Sequence, residues 1–158
     1  MSRRSEDRAS LLARLETELT QTIADGILYQ QAVADRLGLS LSDFKCLTVV
    51  SGPEPVTAGD IASHTGLTTG AVTRMIDRLE RAGWVRREPD RVDRRRVIVR
   101  PVQERLAEVR PLFTGMSRAW AKALADYDDD QIAMVLDLFS RMRRVAREEA
   151  ARLRGAAG

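Results

Sequence analysis

Lysine, cysteine, histidine and aromatic side chains are all scarce in this chain of 158 residues. With one cysteine, Cys46, no internal disulfide can form, which suits a reducing compartment. One cysteine and one histidine, His64, make no ligand cluster, so no metal site is expected. Aromatic residues are only 4% of the chain, so its core must be mostly Leu, Val, Ile and Ala. At 44% hydrophobic, the chain has enough of them. No apolar run approaches the roughly 20 residues of a membrane span. The charged start MSRRSEDRAS is not followed by the apolar stretch of a secretory signal. No nucleophile–base pair, phosphate loop or acid–base dyad is visible, so catalytic residues and cofactors are not expected. These absences predict a soluble, cytoplasmic, non-enzymatic protein with no membrane partner.

What the chain has is arginine. Lys45 and Lys122 are its only lysines, so 24 of its 26 basic residues are arginine. Arginine's planar fork suits phosphates and guanine edges, although GC-rich codon usage also enriches it. Location is more telling. Between Thr68 and Arg100 ten arginines face five acids, a local charge of +5 in a chain whose net charge is +3. The remainder is therefore −2. A basic character confined to one segment is the footprint of a protein that meets a polyanion at one face.

Periodicity places that segment. From about Glu6 to Leu37, Leu12, Leu15, Leu19, Ile23, Ile27 and Ala34 recur at helical steps, predicting one long amphipathic helix ended by Gly38. Ser40 and Asp43 stand as a capping box for a short helix, LSDFKCLTVV, stopped by Gly52, Pro53 and Pro55. Thr57 and Asp60 repeat the device for AGDIASHT, which stops at Gly66. Thr68 caps TGAVTRMIDRLERA, which stops at Gly83 and turns Val72, Met75, Ile76 and Leu79 inward. Two short helices around a tight turn, the second longer, form a helix-turn-helix.

WVRREP and RRVIVRP around DRVDR then read as a β-hairpin, and a hairpin directly after a helix-turn-helix is a wing. Pro101 suits the first turn of a further helix running to about Asp126, with a kink expected at Pro111. Asp128 and Gln131 cap a last helix striped by Ile132, Val135, Leu136, Phe139, Met142 and Ala146, before a fraying tail RLRGAAG. The fold class is mainly α: a winged helix-turn-helix with a small β-hairpin wing, flanked by long N- and C-terminal helices.

The stretch GLTTGAVTRMIDRLERAGWVRREPDRVDRRRVIV resembles the MarR family of bacterial transcriptional regulators. The features that carry the resemblance are a threonine-rich recognition helix, Leu79-Glu80 and Gly83 before the first wing strand, and Asp93 with Arg95 at the wing tip. The flanking helices extend it over nearly the whole chain. One departure is Arg100-Pro101, where the family usually has Leu-Thr; this should alter the next helix cap and not the fold. The resemblance implies a homodimer paired through residues 1–37 and 102–158, with residues 38–101 as the DNA-binding region. It further implies a repressor on a pseudo-palindromic operator, released by a small aromatic or apolar effector; other members respond to cysteine oxidation.

The site residues expected to meet double-stranded DNA follow from both readings. Thr68 caps the recognition helix, whose N-terminal N–H groups point at phosphates, and Gly70 lets the backbone approach. Thr69, Thr73 and Arg74 are placed to read base edges, and Arg78, a turn later, to hold a phosphate. Asp77 and Arg81 suit a pair along the helix. At the wing, strand alternation sets Arg94 and Arg96 on one face and Arg95 on the other. By the family pattern Arg95 enters the minor groove, with Arg94 on a phosphate and Asp93 orienting a guanidinium or completing the turn. Cys46, among apolar neighbours, reads as a buried, inert thiol, and core packing is the default for Tyr29, Phe44, Trp84, Phe113 and Trp120. Two other readings of the winged helix stay open: a nonspecific architectural DNA-binding protein, which would lack sequence preference, and a protein-interaction module, which would lack salt-sensitive DNA binding.

Overall fold

The computed structural model describes residues 7–155, apart from the Arg154 side chain. Helix α1 (Arg8–Arg36) is capped by Asp7, whose carboxylate accepts from Ser10 N–H at 2.8 Å, and it ends before Gly38, at φ +67°. The expected start at Glu6 lies outside the described residues. Helix α2 (Leu41–Val50) is capped by Ser40, which accepts from Asp43 N–H at 3.1 Å. The reciprocal half of that expected box is not made, because the Asp43 carboxylate turns inward to another partner. In α3 (Ala58–Thr65) the box closes: Asp60 accepts from Thr57 N–H at 2.7 Å and donates its own N–H to Thr57 at 3.2 Å. These Thr57 hydrogen bonds hold the Asp60 carboxyl below its ordinary pKa.

Gly66, in the left-handed region at φ +73°, turns the chain out of α3 and into α4 (Thr69–Arg81). Thr68 caps α4 as expected, accepting from Ala71 N–H at 3.3 Å. The expected hairpin forms from β2 (Val85–Pro89) and β3 (Val97–Pro101), with Arg87 opposite Val99. A two-residue strand, β1 (Val56–Thr57), pairs with the other edge of β3, giving the antiparallel order β1-β3-β2. Two residues are too few to show an alternating pattern, so β1 was invisible in the sequence.

Pro101 does not open the next helix. It ends β3 opposite Val85, where a missing N–H costs nothing, and Val102 N–H continues the pairing by donating to the Trp84 carbonyl at 2.9 Å. Helix α5 (Gln103–Ala123) begins after it and stops short of Asp126, with Pro111 inside. Pro111 withholds the N–H that the Ala107 carbonyl would accept. Helix α6 (Asp129–Gly155) opens on the expected reciprocal cap, Asp128 and Gln131 exchanging bonds of 3.0 and 2.9 Å. It stays helical through Gly155, so the first part of the tail expected to fray does not; residues 156–158 lie outside the described residues. No helix among the described residues is long and apolar enough to cross a membrane.

The chain separates into two compact units, the first ending at Leu112 and the second beginning at Phe113. In the first, α4 turns Val72, Met75, Ile76 and Leu79 inward as expected, none more than 2% exposed. They pack with Leu47 and Val50 of α2, Ile61 of α3, and Val85 and Val99 of the sheet. At about 1.5–3 kcal/mol for each fully buried aliphatic side chain, this one face outweighs the modest helix propensity of its threonines and glycine. Phe44 and Trp84 are buried, and the Arg105 guanidinium stacks 4.1 Å above the Trp84 ring. Trp120 departs from the expected core role: it stands exposed on α5.

Cys46 is fully buried, and burial first, then the nearby Asp43 charge, pushes its thiol from 9.0 to about 11. A thiol that stays protonated in the folded state and ionises once unfolded stabilises the fold fully below the unfolded pKa. That contribution is lost as pH climbs through the folded value. Between about pH 9 and 11, therefore, the wild type should lose stability faster with rising pH than Cys46→Ala does. Urea titrations of both proteins across that window measure it; parallel slopes would show that the thiol is not held protonated.

Candidate nucleic-acid interface

With its apolar face buried, α4 presents Thr69, Gly70, Thr73, Arg74 and Arg78 to solvent, below the exposed cap Thr68. A Cβ built on Gly70 meets nothing within 4 Å, so no internal packing requires glycine there, and the space outside it is open. The Thr73 hydroxyl donates to the Thr69 carbonyl at 3.0 Å, which leaves its oxygen lone pairs outward. Arg74 makes no ion pair or side-chain hydrogen bond among the described residues.

Arg78 has a partner that the sequence did not reveal. Its Nε and Nη2 donate to the two carboxylate oxygens of Asp43, at 3.1 and 2.5 Å. Asp43 is buried at 4% exposure, whereas the Arg78 side chain is half exposed. These hydrogen bonds raise the Arg78 pKa and tie α4 to α2. Asp77 departs from expectation too. Its carboxylate accepts from Arg87 Nη2 of β2 at 2.6 Å, and Arg81 reaches only the Asp77 backbone carbonyl, at 3.2 Å. Arg87 Nη1 reaches Glu80 at 2.5 Å, and the Arg87 N–H donates to the other Glu80 oxygen at 2.9 Å. Desolvation opposes the charge on Arg87, but the bonds to Asp77 and Glu80 outweigh it and leave its pKa raised.

At the wing tip two aspartates fold the chain with their own carboxylates. Asp90 accepts from Val92 N–H at 2.9 Å, and Asp93 from Arg95 N–H at 3.0 Å. Asp93 thus completes the turn and does not orient a guanidinium. Arg96 N–H closes the loop on the Asp93 carbonyl at 2.9 Å, and its side chain lies 3.8 Å from Asp90. Arg94, Arg95 and Arg96 therefore sit in a turn before the start of β3, and the expected strand alternation does not apply to them.

The ten arginines of this segment now divide. Arg78, Arg86, Arg87, Arg96 and Arg100 pair with Asp43, Glu88, Asp77 and Glu80, Asp90, and Glu88 respectively. Arg81 is held by a carbonyl. Among the described residues Arg74, Arg91, Arg94 and Arg95 have no such partner, and all four are exposed. One stands on α4 and three at the wing tip. Arg91 was missed in the sequence because it falls outside the D-x-R signature; the adjacent Asp90 turns to Val92 and Arg96.

A helix-turn-helix with an exposed second helix and an arginine-tipped hairpin is the winged-helix class of DNA-binding fold. Residues 39–97 match the model of the MarR family. An uncharacterised HTH-type transcriptional regulator of Bacillus subtilis, YcgE, is 34% identical over 128 residues, covering 81% of this chain and 83% of that protein. The HTH-type transcriptional regulator MgrA of Staphylococcus aureus is 26% identical over 65% of this chain and 69% of its own. A MarR family protein from Bacillus stearothermophilus shares the fold at a TM-score of 0.60 and 21% identity, over 92% of this chain and 99% of that one. Wild-type apo MarR from E. coli does so at 0.55 and 23%, over 83% and 95%. The chain belongs to the MarR family and is a DNA-binding transcriptional regulator, not an enzyme.

The Asp43 tie sets apart two arginines that look alike in sequence. Arg78→Ala strands a buried carboxylate and should lower stability by about 1–3 kcal/mol. Arg94→Ala, at the exposed tip, should stay within about 0.5 kcal/mol of wild type. Urea denaturation compares them; equal losses would mean that the Asp43–Arg78 bond contributes nothing to the fold.

Proposed function

We propose that the protein is a repressor that binds a pseudo-palindromic operator as a homodimer and is released by a small aromatic or apolar effector. The observation that carries the DNA-reading part is the division of the arginines: among the described residues Arg74 on α4 and Arg91, Arg94 and Arg95 at the wing tip have no carboxylate partner. Thr68, Thr69 and Gly70 bring the α4 N-terminus to a phosphate, and Thr73 and Arg74 meet base edges. Arg95 enters the minor groove, with Arg94 and Arg91 on the phosphates beside it. Asp93 and Arg96 shape that tip. Arg78 chiefly orients α4, with its remaining N–H groups toward a phosphate.

Pairing is supported by apolar side chains left in water. Leu11, Leu12, Ile23 and Leu28 on α1, and Leu136, Phe139 and Val145 on α6, are each half exposed or more. A helix with such a face is covered by another surface, and the flanking segments 1–37 and 102–158 pair two copies. Repression, effector release and action in the cytoplasm rest on the family resemblance.

In a two-fold dimer the recognition helices enter major grooves about one turn, ~10 bp, apart. Selection from a random-sequence duplex pool should therefore enrich two inverted half-sites at that spacing, with affinity falling steeply as salt rises. Arg74→Ala should relax preference at one symmetric pair of positions, by roughly 1–3 kcal/mol each. Enrichment of no sequence would favour an architectural role. A monomer in sedimentation at micromolar concentration would rule out the paired arrangement.

A further inference from the structure

We infer that Arg87 is a positioning residue that locks the wing to the recognition helix, so that the two DNA-reading elements engage as one rigid body. The inference rests on the reading that both α4 and the wing tip touch DNA. Between α4 and β2 lie only Ala82, Gly83 and Trp84, with Gly83 in the left-handed region at φ +75°. The core holds the hairpin at Val85, the start of β2, and at Val99 of β3, which lies opposite Arg87. Its far end, with Arg91, Arg94 and Arg95, lies beyond Pro89 and Val97, outside that core.

Leverage makes the outer part matter. On β2 only Val85 enters that core, and the four residue steps from it to Pro89 span ~13 Å at about 3.3 Å each. A swing of roughly 10° at the base then moves the start of the tip by ~2 Å, enough to break a hydrogen bond made there. Arg87 sits midway along that lever and bridges to α4 by three bonds. Nη2 meets Asp77 at 2.6 Å, Nη1 meets Glu80 at 2.5 Å, and its N–H meets Glu80 at 2.9 Å. Asp77 and Glu80 are three apart and so share one side of α4. The guanidinium fork meets both carboxylates at once. The three side chains are 30%, 47% and 38% exposed, so water weakens the bridge as a source of stability. What remains is geometry: it fixes the angle between helix and wing.

The test is a double-mutant cycle on DNA affinity, using a duplex enriched from a random pool by the wild-type protein, well below the melting temperature. Arg95→Ala is measured in the wild-type, Arg87→Ala and Glu80→Gln backgrounds. Glu80→Gln keeps an amide oxygen for the Arg87 N–H while removing the charge, so it serves if Arg87→Ala does not fold. In wild type Arg95→Ala should cost roughly tenfold in affinity. In the loosened backgrounds its cost should fall below about threefold, because an unfixed tip no longer arrives with the helix. A purely structural role for Arg87 leaves the Arg95 cost the same in every background, and that result would overturn the inference. If Arg95→Ala costs nothing even in wild type, the wing reading fails first and the inference with it.

Discussion

The burial of one face of α4 is the constraint on which the remaining arrangement depends. Val72, Met75, Ile76 and Leu79 are almost wholly removed from water, against α2, α3 and two strands of the sheet. That fixes the roll of the helix about its own axis. Thr69, Thr73 and Arg74 then have no choice of direction: they face out because the stripe faces in. The same burial seats the base of the wing, since Val85 and Val99 belong to the same cluster. The solvent face and the core face are two sides of one helix.

Electrostatics refines what packing begins. A segment with a charge of +5 would repel itself if every arginine stood free. The structure instead uses its acids to absorb those arginines that hold elements together: Asp43 takes Arg78, Asp77 and Glu80 share Arg87, and Glu88 lies between Arg86 and Arg100. The acids at the tip are satisfied mostly by backbone N–H groups, so they bend the chain without neutralising Arg91, Arg94 or Arg95. Unpaired positive charge is thereby concentrated at the exposed tip of the hairpin.

The sequence made the skeleton legible because its signals are local. Caps at Thr57, Thr68 and Asp128, stops at Gly38, Gly66 and Gly83, and the α4 stripe each act within a few residues, and each formed as read. The failures were non-local. Asp43 looked like a capping residue, yet it answers to Arg78, 35 positions away. Asp77 preferred a strand residue to its helical neighbour, and Pro101 was claimed by Val85 across the hairpin. Of the candidate site, the α4 positions were readable and exposed as expected. The wing positions were readable as a group but not as individuals, because a seven-residue loop between Pro89 and Val97 has no period from which to assign faces.

The near-absence of lysine has a chemical consequence for control. The segment from Thr68 to Arg100 contains no lysine, histidine or cysteine. Guanidinium groups keep their charge at any pH a cell reaches, and they present no primary amine or thiol to acylating or oxidising reagents. The surface of this segment therefore offers no imidazole, primary amine or thiol: its arginine charge is fixed by composition, and lysine acetylation has no group on it to change. Ionic strength, which screens every charge alike, remains a variable this surface cannot ignore.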